Sequence, residues 1–167
     1  MRLRRDERGA SAVEFALLAP VLLLLLLGTV TLFDLFRTHQ NVEKATFTLS
    51  DMLSREQTIS RVKVDEMLTL MRNMVPAANT GGLRVSSIVR KSGTWTVRWS
   101  RSVGSAVPTT PIPASILPDI ADGDSVLLTE SFVPYRAFVD WFGVEFITFK
   151  GQFAHRPRMV SEIRYIP

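Results

Sequence analysis

The sequence predicts an α+β protein: one long N-terminal helix, membrane-spanning below and amphipathic above, packed on a small, mostly antiparallel sheet. Three observations point to this. Phe15 to Phe33 is a run of 19 residues without a charge, about 28 Å of helix against a hydrocarbon core of about 30 Å. Helical periodicity then continues from Asp34 to about Gln57, with Leu35, Val42 and Leu49 recurring at seven and Thr38, Ala45 and Met52 interleaved. Beyond Pro76 the period changes to two, as in Trp95, Val97 and Trp99 alternating with Thr96, Arg98 and Ser100.

The apolar run is too long for a secretory signal, whose apolar region spans about 7–15 residues before a small-x-small cleavage site. Its end, Phe33-Asp34-Leu35-Phe36-Arg37, offers no such site, so the segment reads as a retained anchor. Four arginines precede it, while Asp34 and Arg37 balance on the other flank. The positive-inside bias therefore places the N-terminus in the cytoplasm and the rest of the chain outside. Pro20 removes a backbone donor and frees the carbonyl of Ala16, so a loosened turn is expected there. Gly28, Thr29 and Thr31 are small enough to let another helix approach.

Outside the membrane, a second helix is expected from Asp65 to Val75, with Asp65 near its start as a cap and Met67, Leu68, Met71, Met74 and Val75 on one face. The three methionines suit core filling better than a partner surface. Asn79-Thr80-Gly81-Gly82 breaks the chain before two strands, Leu83 to Lys91 and Thr94 to Arg101, joined by Ser92-Gly93. Simple alternation puts both indoles on one face, read as half-buried sheet rather than a glycan or nucleic-acid platform. A proline-rich loop from Val107 to Asp124 leads to strands at Ser125 to Tyr135 and Glu145 to His155. Between them, Phe138, Trp141 and Phe142 form a short helix or an apolar loop facing membrane or neighbour. The organisation expected is thus residues 1–9 as a charged stub, 10–36 transmembrane, 37–75 helical and amphipathic, and 76–167 a β-rich outer head.

Composition limits the function. The net charge is +4 over 167 residues, and the stub supplies half of it with four Arg against Asp6 and Glu7. No basic patch with interleaved aromatics stands out downstream, so nucleic acid is not an expected partner. There is no cysteine and there are only two histidines, which removes disulfide scaffolds, thiolate zinc sites and cysteine nucleophiles. No nucleophile elbow, P-loop, zinc-protease or dinucleotide motif is present. Asp122-Gly123-Asp124 lacks the remaining ligands of a calcium loop. No enzymatic activity, metal or cofactor is expected.

The most informative stretch is the junction at the start of the apolar run. A charged stub ends at Gly9, and Ala10-Ser11-Ala12-Val13 leads to a single carboxylate, Glu14, followed by Phe15. An acid inside a membrane helix is costly enough to need a reason. Glycine, four small or apolar residues, glutamate and an aromatic resembles the processing site of type IV prepilins, in particular the tight-adherence (Flp) subclass. The longer string from Gly9 to Pro20, GASAVEFALLAP, is similar to TadE-like pilus assembly proteins, and Arg156-Pro157-Arg158 near the C-terminus also resembles them.

The resemblance implies cleavage of Gly9–Ala10 by a membrane-embedded aspartyl prepilin peptidase, with Met1 to Gly9 lost as a leader. Glu14 would become the fifth mature residue and pair with the terminal amine of a neighbouring subunit, with Phe15 and Pro20 in the same assembly segment. The implied role is a minor pilin or pseudopilin, since major pilins of this subclass are much shorter. The implied partners are other pilins and the platform proteins of the secretion machinery, in and around a bacterial inner membrane with the head on the periplasmic side. The alternative is an uncleaved single-pass protein whose outer domain binds a ligand or partner.

Overall fold

In the computed structural model, which describes residues 7–105, 107–112, 114–137 and 146–167, helix α1 runs unbroken from Glu7 to Ser54. Its 48 residues make a rod of about 72 Å at 1.5 Å per residue, more than twice the thickness of a hydrocarbon core. Surroundings change sharply along it. Between Ser11 and Val30 nearly every residue is exposed, whereas Val42, Ala45, Thr46, Leu49, Ser50, Leu53 and Ser54 are buried against the head. One helix therefore serves two environments.

The heptad reading placed Met52 on the buried face, but Met52 is 40% exposed and Leu53 is buried. A straight α-helix drifts about 20° per heptad, so the heptad position of Met52 has turned off the buried stripe, and Leu53, about five whole turns beyond Leu35, lies on it instead. The stripe is also more polar than expected. Thr46, Ser50 and Ser54 form a buried row at i, i+4, i+8, and two of them bond to the sheet. Thr46 Oγ1 lies 2.6 Å from Ser131 Oγ, and Ser50 Oγ lies 2.8 Å from His155 Nδ1.

After α1 come β1 (Thr58–Ser60), α2 (Arg61–Met74), a 3-10 turn (Pro76–Thr80), β2 (Gly82–Lys91) and β3 (Thr94–Gly104). A short 3-10 turn (Ala114–Ile116), β4 (Ser125–Arg136), β5 (Phe146–His155) and β6 (Arg164–Ile166) complete the head. Helix α2 starts four residues before the expected Asp65. Its N-cap is Ser60, whose hydroxyl accepts from the Lys63 amide at 3.2 Å, the arrangement that satisfies an unpaired first-turn donor. Val64, Met67, Leu68 and Met71 are buried, and Met74 is 40% exposed. Two of the three methionines are core.

β3-β2-β4-β5 form one antiparallel sheet, while β1 and β6 pair in parallel beside it. α1 packs on β4 and β5, and α2 lies toward β2 and β3. Leu83, Val85, Leu127, Val133 and Tyr135 meet the helices in the main core. On the other face Ile88, Val126 and Leu128 are covered by Ile112, Ile116, Leu117 and Ile120 of the proline-rich segment. That segment is a lid on the sheet rather than a free loop, which is why β2 is buried from Gly82 to Val89.

The two indoles do not share a face. Ser87 pairs with Trp99 but Ile88 pairs with Val97, leaving Arg98 as the extra residue of a bulge. An extra residue inverts the alternation beyond it. Trp99 consequently packs on the main core, its Nε1 donating to Ile163 O at 2.9 Å, while Trp95 packs under the proline-rich lid. The β2–β3 turn is tight, with Ser92 and Gly93 at φ 50° and 74°, as two-residue hairpin turns require.

α1 and the sheet come closest at Gly151. A Cβ there would lie 2.3 Å from Thr46 Oγ1 and 2.7 Å from Ser131 Oγ, so no larger residue fits without moving the helix. The expected aromatic stretch of Phe138, Trp141 and Phe142 lies outside the described residues.

Candidate functional site

The junction residues all lie on the bare part of α1. Gly9 is exposed in the opening turns, with open space where a Cβ would stand, and Ala10 follows it in the helix. Glu14, Phe15 (68% exposed) and Pro20 are exposed as well, and the helix continues through Pro20. From residue 10 to residue 14 is about 6 Å along the axis and about 40° around it. Glu14 makes no ion pair with any described residue. Its surroundings are apolar, with Val13, Leu17 and Leu18 exposed beside it.

Further along, the hydroxyls of Thr29 and Thr31 donate to Leu25 O and Leu27 O, each at 2.8 Å. Their polarity is satisfied inside the helix, with Thr29 exposed and Thr31 already buried at 2%. Among the described residues this is the one helix long and apolar enough to cross a membrane, and its most apolar window has a mean hydropathy of 2.5 with 6% buried. The first charge after the run, Asp34, is tied to the head: Tyr135 donates its hydroxyl to Asp34 Oδ2 at 2.6 Å. Burial, the hydrogen bond and the neighbouring carboxylate push the Tyr135 phenol up to about 12. This bond ties α1 to the end of β4 just past the apolar run.

The head closes its own charges. Glu130 is fully buried between the sheet and the proline-rich lid. Arg84 Nε lies 2.5 Å from Glu130 Oε2, and its Nη1 donates to Pro108 O and Thr110 O. Gln152 donates to Glu130 Oε1 at 2.8 Å, and Lys150 Nζ stands 3.6 Å from the same oxygen. Sequence reading passed over this pair, although a single charge at the otherwise uncharged centre of each of two strands was the available signal. Asp119 and Asp122 face Arg90, and Asp124 faces Arg156, so the acidic loop is bound to arginines. Among the described residues no group of three acidic or histidine side chains could hold a metal.

Arg156-Pro157-Arg158 closes the end of α1. The Arg158 amide donates to Ser54 O at 2.9 Å, and its guanidinium lies 2.5 Å from Asp51 Oδ1 while Arg55 donates to Asp51 Oδ2 at 2.7 Å. These arginines hold the Asp51 carboxyl below its ordinary value, mainly through the Arg55 hydrogen bond.

No curated relative and no solved structure matches the chain. One family model does, over residues 9–48. The match starts at the glycine of the junction and ends within the last two turns of α1, so it takes in Glu14, the apolar run and the first turns on the head, and leaves the sheet outside. From Gly9 to Thr48 the chain matches the TadE-like protein family, a likeness that connects it with the tight-adherence pilus system.

Proposed function

We propose that this chain is a minor pilin or pseudopilin of a tight-adherence (type IVb) pilus, acting by assembly rather than catalysis. The observation that supports this best is a carboxylate on a bare apolar helix with no ion-pair partner among the described residues, one turn beyond a glycine junction and inside the TadE-like match. The bond to be cut, Gly9–Ala10, lies in the opening turns of α1. There the first amides have no helical acceptors and glycine disfavours helix, so a prepilin peptidase can open the backbone at low cost.

Cleavage creates an α-amine at the positive end of a helix dipole, where a carboxylate is favoured. A Glu14 carboxylate from the adjoining subunit supplies it. The pairing offsets the cost of an acid in lipid, which insertion scales put at about 2.5–3.5 kcal/mol for Asp at a helix centre. Its structural use is register, setting one helix against the next at a fixed offset. Phe15 and Pro20 lie on the same exposed section as packing surface. The arginine bias puts the stub in the cytoplasm and the head on the periplasmic side of the inner membrane. Prepilin peptidase, other pilins and the platform of the secretion machinery are the partners.

Replacing Glu14 by Ala in a pilus-forming host tests the role. The variant is expected to accumulate in the membrane with a folded head and to fail in pilus assembly. Wild-type piliation by Glu14→Ala would overturn the pairing.

A further inference from the structure

The four-stranded sheet ends on one side at β3, which pairs with β2. Among the described residues, no backbone hydrogen bond from outside that ladder reaches Trp99 to Val103. A cleft of about 450 Å³ lies beside this stretch. Four consecutive residues of β3, Arg101 to Gly104, line it together with Arg61 and Asp65 of α2 and Tyr165 of β6. Successive strand side chains point to opposite faces, so a cleft touched by four in a row runs along the edge of the strand. We propose that the Trp99 to Gly104 edge of β3 takes an extended acidic segment of another protein as an added strand, with its carboxylate on Arg101. The site lies on the head and does not depend on the fate of Gly9 or Glu14.

The two halves of β3 differ as edges. Bulges and charges on an edge strand discourage pairing. The first half has both, since Arg98 is the bulged residue and stands 3.3 Å from Glu162 Oε1. Past the bulge the register with β2 runs without a break, from Trp99 opposite Ser87 to Gly104 opposite Gly82. That stretch has about the mean length of a strand. Every other residue in it turns its N–H and C=O away from β2, as an antiparallel ladder requires.

Arg101 selects the occupant. Its guanidinium lies over the Tyr165 ring at 4.2 Å and donates to Ser100 O at 3.0 Å. It makes no ion pair with any described residue. Stacking holds the group flat and leaves in-plane donors for a carboxylate. Asp65 in the same cleft is faced by Arg61 at 4.0 Å, so those two charges offset and Arg101 is the unmatched one. Trp99 and Val103 flank Arg101 on the same face and pack against the main core. The incoming strand therefore suits an acid opposite Arg101 with apolar residues two positions to either side. A free anion could use Arg101 but not the backbone groups of the edge.

The test titrates the full chain in detergent with a capped peptide in which valines alternate with threonines around one central glutamate. Binding is expected, with exchange protection gained at the amides of Trp99 to Gly104 and not at Thr94 to Val97. Lysine in place of the glutamate, or Arg101→Gln in the chain, should weaken binding about tenfold through loss of a charge-assisted hydrogen bond. Arg101→Lys should keep part of the affinity, and Lys44→Gln on α1 should leave it unchanged. Of two peptides N-methylated at alternate amides, one should lose binding and the other keep it, because only one edge of the added strand faces β3. No binding, unchanged protection of Trp99 to Gly104, or equal affinity for the glutamate and lysine peptides would overturn the site. Displacement of the peptide by acetate at equal concentration would overturn the added strand. Self-association of the chain that protects the same amides without peptide would overturn the foreign occupant.

Discussion

Glu130 and Glu14 are carboxylates in two contrasting regions, one buried at the centre of the sheet and one exposed on the bare half of α1. Glu130 is fully buried, and Arg84, Gln152 and Lys150 converge on it from three positions in the head. Glu14 has no ion-pair partner among the described residues. The head pairs its buried acid within one molecule and also satisfies the hydroxyl row of Thr46, Ser50 and Ser54. On the function we propose, the membrane half of the same helix leaves Glu14 for another molecule to meet. A partner outside the chain is the physical reason we assign to that difference.

Breaking the internal network should have the largest effect. Glu130→Ala strands the Arg84 guanidinium beneath the proline-rich lid, and losing one partner of a buried pair costs about 3–5 kcal/mol. Chemical denaturation of the full chain in detergent measures this, and a loss below about 1 kcal/mol would mean the network is wetter than its burial implies. Next, the two halves of α1 can be set against each other by one chemistry at two depths. Leu49→Ala in the fully buried stripe should cost about 2–5 kcal/mol. Leu25→Ala, at a side chain 66% exposed, should move the same transition by less than about 0.5 kcal/mol.

The contact between the halves is weaker than either core. Tyr135→Phe removes the hydrogen bond to Asp34 and should cost about 1.5 kcal/mol. In wild type the raised phenol pKa adds stability that is complete below pH 10 and lost as the pH rises toward about 12, and the variant should lack that loss. The smallest effect expected is at His155, whose imidazole is held below its ordinary value mainly by burial, with Asp51 opposing. The unfolded chain then binds a proton first as the pH falls, so stability should decline below about pH 6.5. Melting temperatures at pH 7.5 and 5.5 should differ more in wild type than in His155→Gln.

How much was legible in the sequence follows from how local each signal is. The apolar run, the change of period after Pro76 and the Ser92-Gly93 turn are written in neighbouring residues, and they place α1 and the first hairpin to within a few positions. The junction of Gly9 and Glu14 is equally local, six residues from end to end. What escaped depends on partners distant in sequence or on small geometric offsets. Arg84 and Glu130 are 46 residues apart, and nothing near either names the other. The bulge at Arg98 turns Trp95 and Trp99 to opposite faces, although the letters around it alternate without a break. Ser60 caps α2 from a position that reads as ordinary linker, and the lid over Ile88 and Leu128 comes from a segment whose prolines suggest only a loop.

The central claim is that the bare half of α1 is made for processing and assembly, and it is tested most directly at the N-terminus. Intact mass and N-terminal sequencing of the chain isolated from its own host membranes should show Ala10 as the first residue, with Met1 to Gly9 gone. A membrane-inserted chain that still carries Gly9 would contradict the claim and leave Glu14 as an acid on an ordinary anchor.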